Sequence, residues 1–177
     1  MALSRRRLRS ALAHVRLLVL DVDGVMTDAG IFLGEQEELK RYDSRDGSGI
    51  KYLLRHGVAV AVISGRESVS VTRRCAELGI TEVHQHQLKK LPVFLELLKR
   101  RGLSADEVAV MGDDLSDLPM MRRAGVSIAV ADACEDVRRR ADWVTRAGGG
   151  HGAVREVAEA ILEAKDLWAQ CVEGYLA

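Results

Sequence analysis

The 177-residue chain has only three cysteines, Cys75, Cys134 and Cys171, far apart and odd in number. That is neither a disulfide framework nor metal-ligand spacing. It suits small core or surface thiols in a reducing compartment. Aromatic residues make up 4% of the chain, which speaks against a surface built for base stacking. Neither sign of charge prevails, since Lys+Arg and Asp+Glu are each 26 and the net charge is zero. Such a chain projects no overall field toward nucleic acid or an anionic membrane. No apolar run approaches the length of a membrane span. The N-terminal stretch MALSRRRLRS is basic but has no apolar h-region before the first strand, so no signal peptide is expected. Internal repeats and low-complexity segments are also missing. A cytoplasmic protein with neither nucleic acid nor membrane as partner is the expectation.

What remains is an ordinary globular composition, 47% hydrophobic and 29% charged. The length fits one domain, 1–177, that buries roughly 70% of its unfolded surface. The hydrophobic period alternates along the chain. Short apolar runs at Leu17–Leu20, Val58–Ile63, Val108–Met111 and Val126–Val130 read as strands buried on both faces. Thr81–His84 is a weaker strand, and Trp143-Val144 an edge piece. Between them, Ile50, Leu53 and Leu54, then Val71, Cys75 and Leu78, then Phe94, Leu97 and Leu98 carry helical spacing. Gly57, Gly79 and Gly102 follow as stops. Val154, Val157, Ala158, Ile161 and Leu162 begin a last helix within a C-terminal segment of about 152–177. Ser104 and Glu107 suit either a capping box or a short turn. The pattern predicts an α/β fold, a doubly wound, Rossmann-like parallel sheet. One interruption, about 30–42, has Ile31-Phe32-Leu33 and Leu39 to Tyr42 flanking Gly34-Glu35-Gln36-Glu37, and reads as an inserted β-hairpin.

Open parallel sheets bind ligands at the C-terminal ends of their strands. In this sequence those ends carry Asp21-Val22-Asp23-Gly24, Ser64-Gly65-Arg66, Lys89-Lys90 and Gly112-Asp113-Asp114-Leu115-Ser116-Asp117. At average usage, D-x-D-G arises by chance about 0.04 times in such a chain and G-D-D-x-x-D on the order of 0.003 times. Five carboxylates on one sheet edge repel, by about 4 kcal/mol for a pair about 4 Å apart at an effective dielectric of 20. Raised pKa values or a cation must relieve this, and hard oxygen donors favour Mg²⁺. Ser64, Lys90 and loop N–H groups suit phosphate oxygens. An acid-rich metal site beside a phosphate cradle points to phosphoryl transfer.

In this order the four segments resemble the haloacid dehalogenase phosphatase superfamily. More closely, the chain is similar to its 3-deoxy-D-manno-octulosonate 8-phosphate phosphatases, from about Leu17 to Ile161. The stretches LDVDGVMTDAG, RDGSGIK, SGR, RCAELGIT, GDDLSDLP, VAVADA and GAVREV carry the likeness. The resemblance implies a fold without a cap domain and a Mg²⁺-dependent hydrolysis of a sugar phosphate through an aspartyl-phosphate. It makes Asp21 the nucleophile and Asp23 the acid and base. Asp21, the backbone carbonyl of Asp23, and Asp113 would bind the metal, and Asp114 and Asp117 would orient the metal's waters and Lys90. Ser64 and Gly65 would hold the phosphate with Lys90, and Arg66 would meet the substrate. Relatives usually carry Gly where this chain has His86, and Lys or Arg where it has His151. A homotetramer and a place in lipopolysaccharide precursor synthesis are also implied.

Plainer readings compete at each position. Asp21 and Asp23 suit a capped turn, and Ser64-Gly65 a strand-to-helix cap. Lys90 suits a solvated helix start, and Asp114 and Asp117 a helix N-terminal acid cluster. Two other functions remain open. One is a phosphatase of nine-carbon keto-sugar 9-phosphates, whose relatives tend to have Glu in place of Arg66. The other is a non-catalytic, receiver-like module. There the phosphorylated Asp follows the third strand, where this chain has His84-Gln85-His86. The apolar hairpin strand Ile31–Leu33 has little nearby sequence to cover it, so hairpins of several subunits are expected to pair.

Overall fold

The computed structural model describes residues 3–35 and 38–176. Six parallel strands form the central sheet: β1 (Leu17–Leu20), β4 (Ala59–Ile63), β5 (Glu82–His84), β6 (Val108–Gly112), β7 (Val126–Ala129) and β8 (Trp143–Val144). Their order across the sheet is β5-β4-β1-β6-β7-β8. The continuous apolar runs belong to strands covered on both faces. Every residue of β1, β6 and β7 is buried, as helices on both sides require. The helices are α1 (Arg5–His14), α2 (Ser44–Arg55), α3 (Val69–Leu78), α4 (Lys90–Arg101), α5 (Leu118–Met121), α6 (Glu135–Arg140), α7 (Ala153–Ala164) and α8 (Trp168–Glu173). A two-stranded hairpin, β2 (Phe32–Leu33) and β3 (Glu38–Leu39), stands apart from the sheet.

Three of the expected stops act as stops. Gly57, Gly79 and Gly102 all adopt the left-handed conformation, with φ of 78°, 82° and 60°. Ser104 and Glu107 bracket a 3₁₀ turn, and the Glu107 carboxylate accepts from both the Ser104 N–H at 3.0 Å and its hydroxyl at 2.9 Å.

Other boundaries differ from the sequence reading. The basic N-terminus is helical, because Leu12 is buried and Leu8 packs against the core while the arginines face outward. The last helix does not run into the tail. It ends at Ala164, the chain turns at Asp166 with φ 57°, and α8 follows. The hairpin ladder is short, pairing Phe32 with Leu39 and Leu33 with Glu38, with one more bridge between Thr27 and Tyr42. Gln36 and Glu37 of its expected turn lie outside the described residues.

Register places the site. Leu17–Leu20 pair with Ala59–Val62 on one side and with Val108–Met111 on the other. The chain winds outward from β1 to β4 and β5, then returns to β6 on the opposite flank of β1. That reversal is the topological switch point, where open sheets leave a crevice. The residues just past β1, β4 and β6 therefore emerge side by side.

Candidate active site

Asp21 is the first residue beyond β1, and its N–H still donates to Met111 of β6 at 3.2 Å. The strand ladder thus fixes its backbone. Lys90, at the start of α4, places Nζ 2.8 Å from Asp21 Oδ1 and 2.7 Å from Asp117 Oδ1. The Lys90 side chain is almost fully buried, whereas Lys89 is exposed. Burial works against its ammonium, but Asp21 and Asp117 outweigh it and raise its pKa.

Asp117 is wholly buried. Its other oxygen accepts the N–H groups of Asp113 at 3.1 Å and Asp114 at 3.3 Å. One carboxylate therefore ties the loop after β6 to Lys90. Gly112 permits this, since a Cβ there would lie 2.4 Å from the Asp117 Cβ. Asp114 is exposed. It joins the arrangement through its backbone N–H, and the contact with Lys90 belongs to Asp117.

One oxygen from each of Asp21, Asp113 and Asp117 lies within 4.8 Å of the others. Asp113 Oδ1 is buried and has no hydrogen-bond partner among the described residues. Burial first, then repulsion from Asp21, Asp117 and Asp114, pushes the Asp113 carboxyl up to about 8. Burial and Asp117 also raise Asp21, against the pull of Lys90. Lys90 alone does not neutralise this group. An unpartnered hard oxygen beside crowded acids fits a divalent cation of the Mg²⁺ type. Gly24 makes room for the Asp113 carboxylate, because a Cβ there would lie 2.1 Å from Asp113 Oδ2.

Asp23 points elsewhere. Its Oδ1 lies 2.5 Å from Lys40 Nζ and its Oδ2 3.7 Å from Arg66 Nε. Glu38 on the hairpin takes the same two cations, at 3.1 Å from Lys40 and 2.7 Å from Arg66. Burial disfavours the Glu38 charge, but the Arg66 and Lys40 cations beside it prevail and hold its pKa at about 2. Ser64 is buried just past β4, and its hydroxyl accepts the Arg66 N–H at 3.4 Å. Gly65 has open space where a Cβ would stand.

The structure thus gathers Asp21, Lys90, Asp113 and Asp117 into one cluster and places Asp23 with Arg66 in a second group. The sequence reading had no place for Lys40 and Glu38, because no motif marks a hairpin lysine. Both positions lie in the inserted segment, and that was the available signal. His86 sits at φ 57°, the conformation that favours glycine. In the other departure, His151 Nε2 meets an Arg41 nitrogen at 2.7 Å and Nδ1 meets Gly149 O at 2.7 Å. Arginine can only donate, so Nε2 accepts and Nδ1 carries the hydrogen.

A family profile described as haloacid dehalogenase-like hydrolase matches residues 75–156. The chain is 48% identical over 153 residues to 3-deoxy-D-manno-octulosonate 8-phosphate phosphatase KdsC of Escherichia coli strain K12, covering 86% of this chain and 81% of that one. It is similar to the crystal structure of 3-deoxy-D-manno-octulosonate 8-phosphate phosphatase from Moraxella catarrhalis in complex with magnesium ion, phosphate ion and KDO. There the TM-score is 0.95 and the identity 36%, with 97% of this chain and 99% of that chain covered. The cobalt-bound deoxy-D-mannose-octulosonate 8-phosphate phosphatase of Haemophilus influenzae matches with TM-score 0.90 and 38% identity, over 94% of this chain and 99% of that one.

Proposed function

Because the chain belongs to the 3-deoxy-D-manno-octulosonate 8-phosphate phosphatases of the haloacid dehalogenase-like hydrolases, we propose a division of labour among its own residues for that reaction. The chain is a Mg²⁺-dependent phosphoric monoester hydrolase that converts 3-deoxy-D-manno-octulosonate 8-phosphate to the free sugar acid and phosphate. The observation that carries the assignment of roles is the unpartnered Asp113 Oδ1 buried beside Asp21 at the switch point.

Lys90 holds one oxygen of Asp21, and the other attacks phosphorus. The Asp21 O–P bond forms as the bond from phosphorus to the sugar oxygen breaks, and Asp23 gives that oxygen its proton. Asp23, now ionised, takes a proton from water, which attacks the aspartyl-phosphate and frees Asp21 and phosphate. Ser64 Oγ and the Gly65 N–H hold phosphate oxygens, and Lys90 balances their charge. Asp21, Asp113 and the backbone carbonyl of Asp23 hold Mg²⁺, which offsets the repulsion between a carboxylate nucleophile and a phosphate dianion. Asp117 sets the loop and Lys90. Arg66, half exposed, meets the substrate carboxylate.

The reading treats 1–177 as one phosphatase domain, cytoplasmic and acting in lipopolysaccharide precursor synthesis. No helix among the described residues is long and apolar enough to cross a membrane. The exposed side chains of Phe32, Leu33 and Leu39 support a homotetramer built through the hairpins. Phosphate release from the eight-carbon 8-phosphate and a nine-carbon 9-phosphate, with Mg²⁺ and with EDTA, tests the reading. The eight-carbon substrate should be preferred, chelator should abolish turnover, and Asp21→Asn should lower kcat by about 10⁴-fold or more while keeping the fold. Wild-type release by Asp21→Asn, or full activity in EDTA, would overturn it.

A further inference from the structure

Two cations flank Asp23, and they differ in availability. The Lys40 side chain has no exposed surface, while that of Arg66 is 51% exposed. Arg66 can turn from Asp23 and Glu38 toward a ligand anion at little cost. Lys40 cannot, because an ammonium withdrawn from water needs its carboxylate partners. Its two partners among the described residues are Asp23 and Glu38, so the contact does not belong to the hydrophobic core. Lys40 directly follows β3, and this places a hairpin residue on the carboxylate that stands two positions after Asp21.

We propose that Lys40 is a positioning residue for Asp23, holding Oδ1 so that Oδ2 faces the leaving-group oxygen of the substrate. The inference rests on the reading of Asp23 as acid and base. Proton transfer needs the carboxyl oxygen within hydrogen-bond reach of the oxygen it serves. A carboxylate on a loop swings about two side-chain bonds, so an aimed oxygen needs a second anchor. Arg66 leaves that post when it turns to the substrate, and Lys40 stays. The same anchor keeps Asp23 in place for the second half-reaction, when it takes a proton from water. Lys40 keeps its own protons throughout. Because Lys40 belongs to the hairpin, seating the hairpin and aiming Asp23 become one event.

The test uses full-length Lys40→Met and Lys40→Arg, with Asp23→Asn as reference, all saturated with Mg²⁺. On the sugar phosphate, Lys40→Met should lower kcat about 100-fold with KM changed by less than about threefold. The first-turnover burst from 4-nitrophenyl phosphate should stay near the wild-type rate, because nitrophenolate leaves without a proton. Lys40→Arg keeps a cation and should recover part of the lost kcat. A raised KM with unchanged kcat, or an equal loss in the burst, overturns the proposal. So does a Lys40→Met protein that fails to fold alongside a fully active Lys40→Arg protein. If Asp23→Asn turns over sugar phosphate normally, the role of Asp23 itself falls, a result distinct from failure at Lys40 alone.

Discussion

Asp113 has one oxygen with no hydrogen-bond partner, in a pocket that already holds Asp21 and Asp117. This arrangement has a consequence for stability in metal-free protein. The Asp113 pKa rises from 3.8 to about 8 on folding, from burial first and then from the neighbouring acids. Between those two values the folded chain holds a proton that the unfolded chain has released. Stability therefore falls as pH rises through this window, since the folded state binds more protons. Burial and Asp117 move Asp21 in the same direction. Mg²⁺ held by the ionised carboxylates, as proposed, would remove the penalty. Thermal melts of EDTA-treated and Mg²⁺-loaded protein should differ little near pH 5 and increasingly toward pH 8. A gap that does not change with pH would contradict this account of the acid cluster.

At the scale of elements, the site depends on the glycine-rich loop that precedes α7. Gly149 and Gly150 pack against the turn that follows Asp23. A Cβ at Gly149 would lie 1.9 Å from Gly24 O, and one at Gly150 would lie 2.5 Å from the Asp28 N. Asp46 of α2 sets the far side of this loop, accepting the Gly152 N–H at 3.2 Å and the Arg155 N–H at 2.7 Å at the start of α7. Gly149→Ala should cost about 1–3 kcal/mol, as overpacking does. It should also lower kcat, because the displaced atom belongs to the turn that follows Asp23, the proposed acid and base. Urea unfolding with steady-state kinetics measures both, and an unchanged kcat would detach the loop from catalysis.

The inner parallel strands were legible because burial on both faces leaves uninterrupted apolar runs such as Leu17–Leu20 and Val108–Met111. The acids at the strand ends were legible because topology alone brings strand ends together. Helix α1 was not, since its buried stripe is little more than Leu8 and Leu12 among arginines. Nor was Lys40, whose partner Asp23 lies 17 residues away across a turn that no local pattern specifies. Asp114 and Asp117 look alike in sequence, and only burial separates the exposed Asp114 from Asp117, which anchors Lys90.

For the molecule as a whole, the hairpin is the feature that the fold leaves unresolved. Phe32, Leu33 and Leu39 are 62%, 80% and 54% exposed, and Ile31 beside them is 37% exposed. Such a cluster is apolar surface that a lone chain gains nothing by presenting to water. The ladder behind it has two residue pairs, and a free two-stranded hairpin is marginal. It is nevertheless fixed to the site, through Lys40 and Glu38 to Asp23 and Arg66. A hairpin held by these ion pairs, with exposed apolar side chains on both strands, is suited to pairing with copies of itself, which would cover those side chains and its open edges. Assembly then reaches the chemistry, because the segment that pairs also carries Lys40. Phe32→Asp places a carboxylate in that contact in every subunit. It should reduce the oligomer to monomers in sedimentation at micromolar concentration. Sugar-phosphate hydrolysis should fall about tenfold or more, with a smaller loss in the first-turnover burst from 4-nitrophenyl phosphate, whose leaving group needs no proton from Asp23. A wild-type protein that sediments as a fully active monomer would show that the exposed apolar strands serve no assembly.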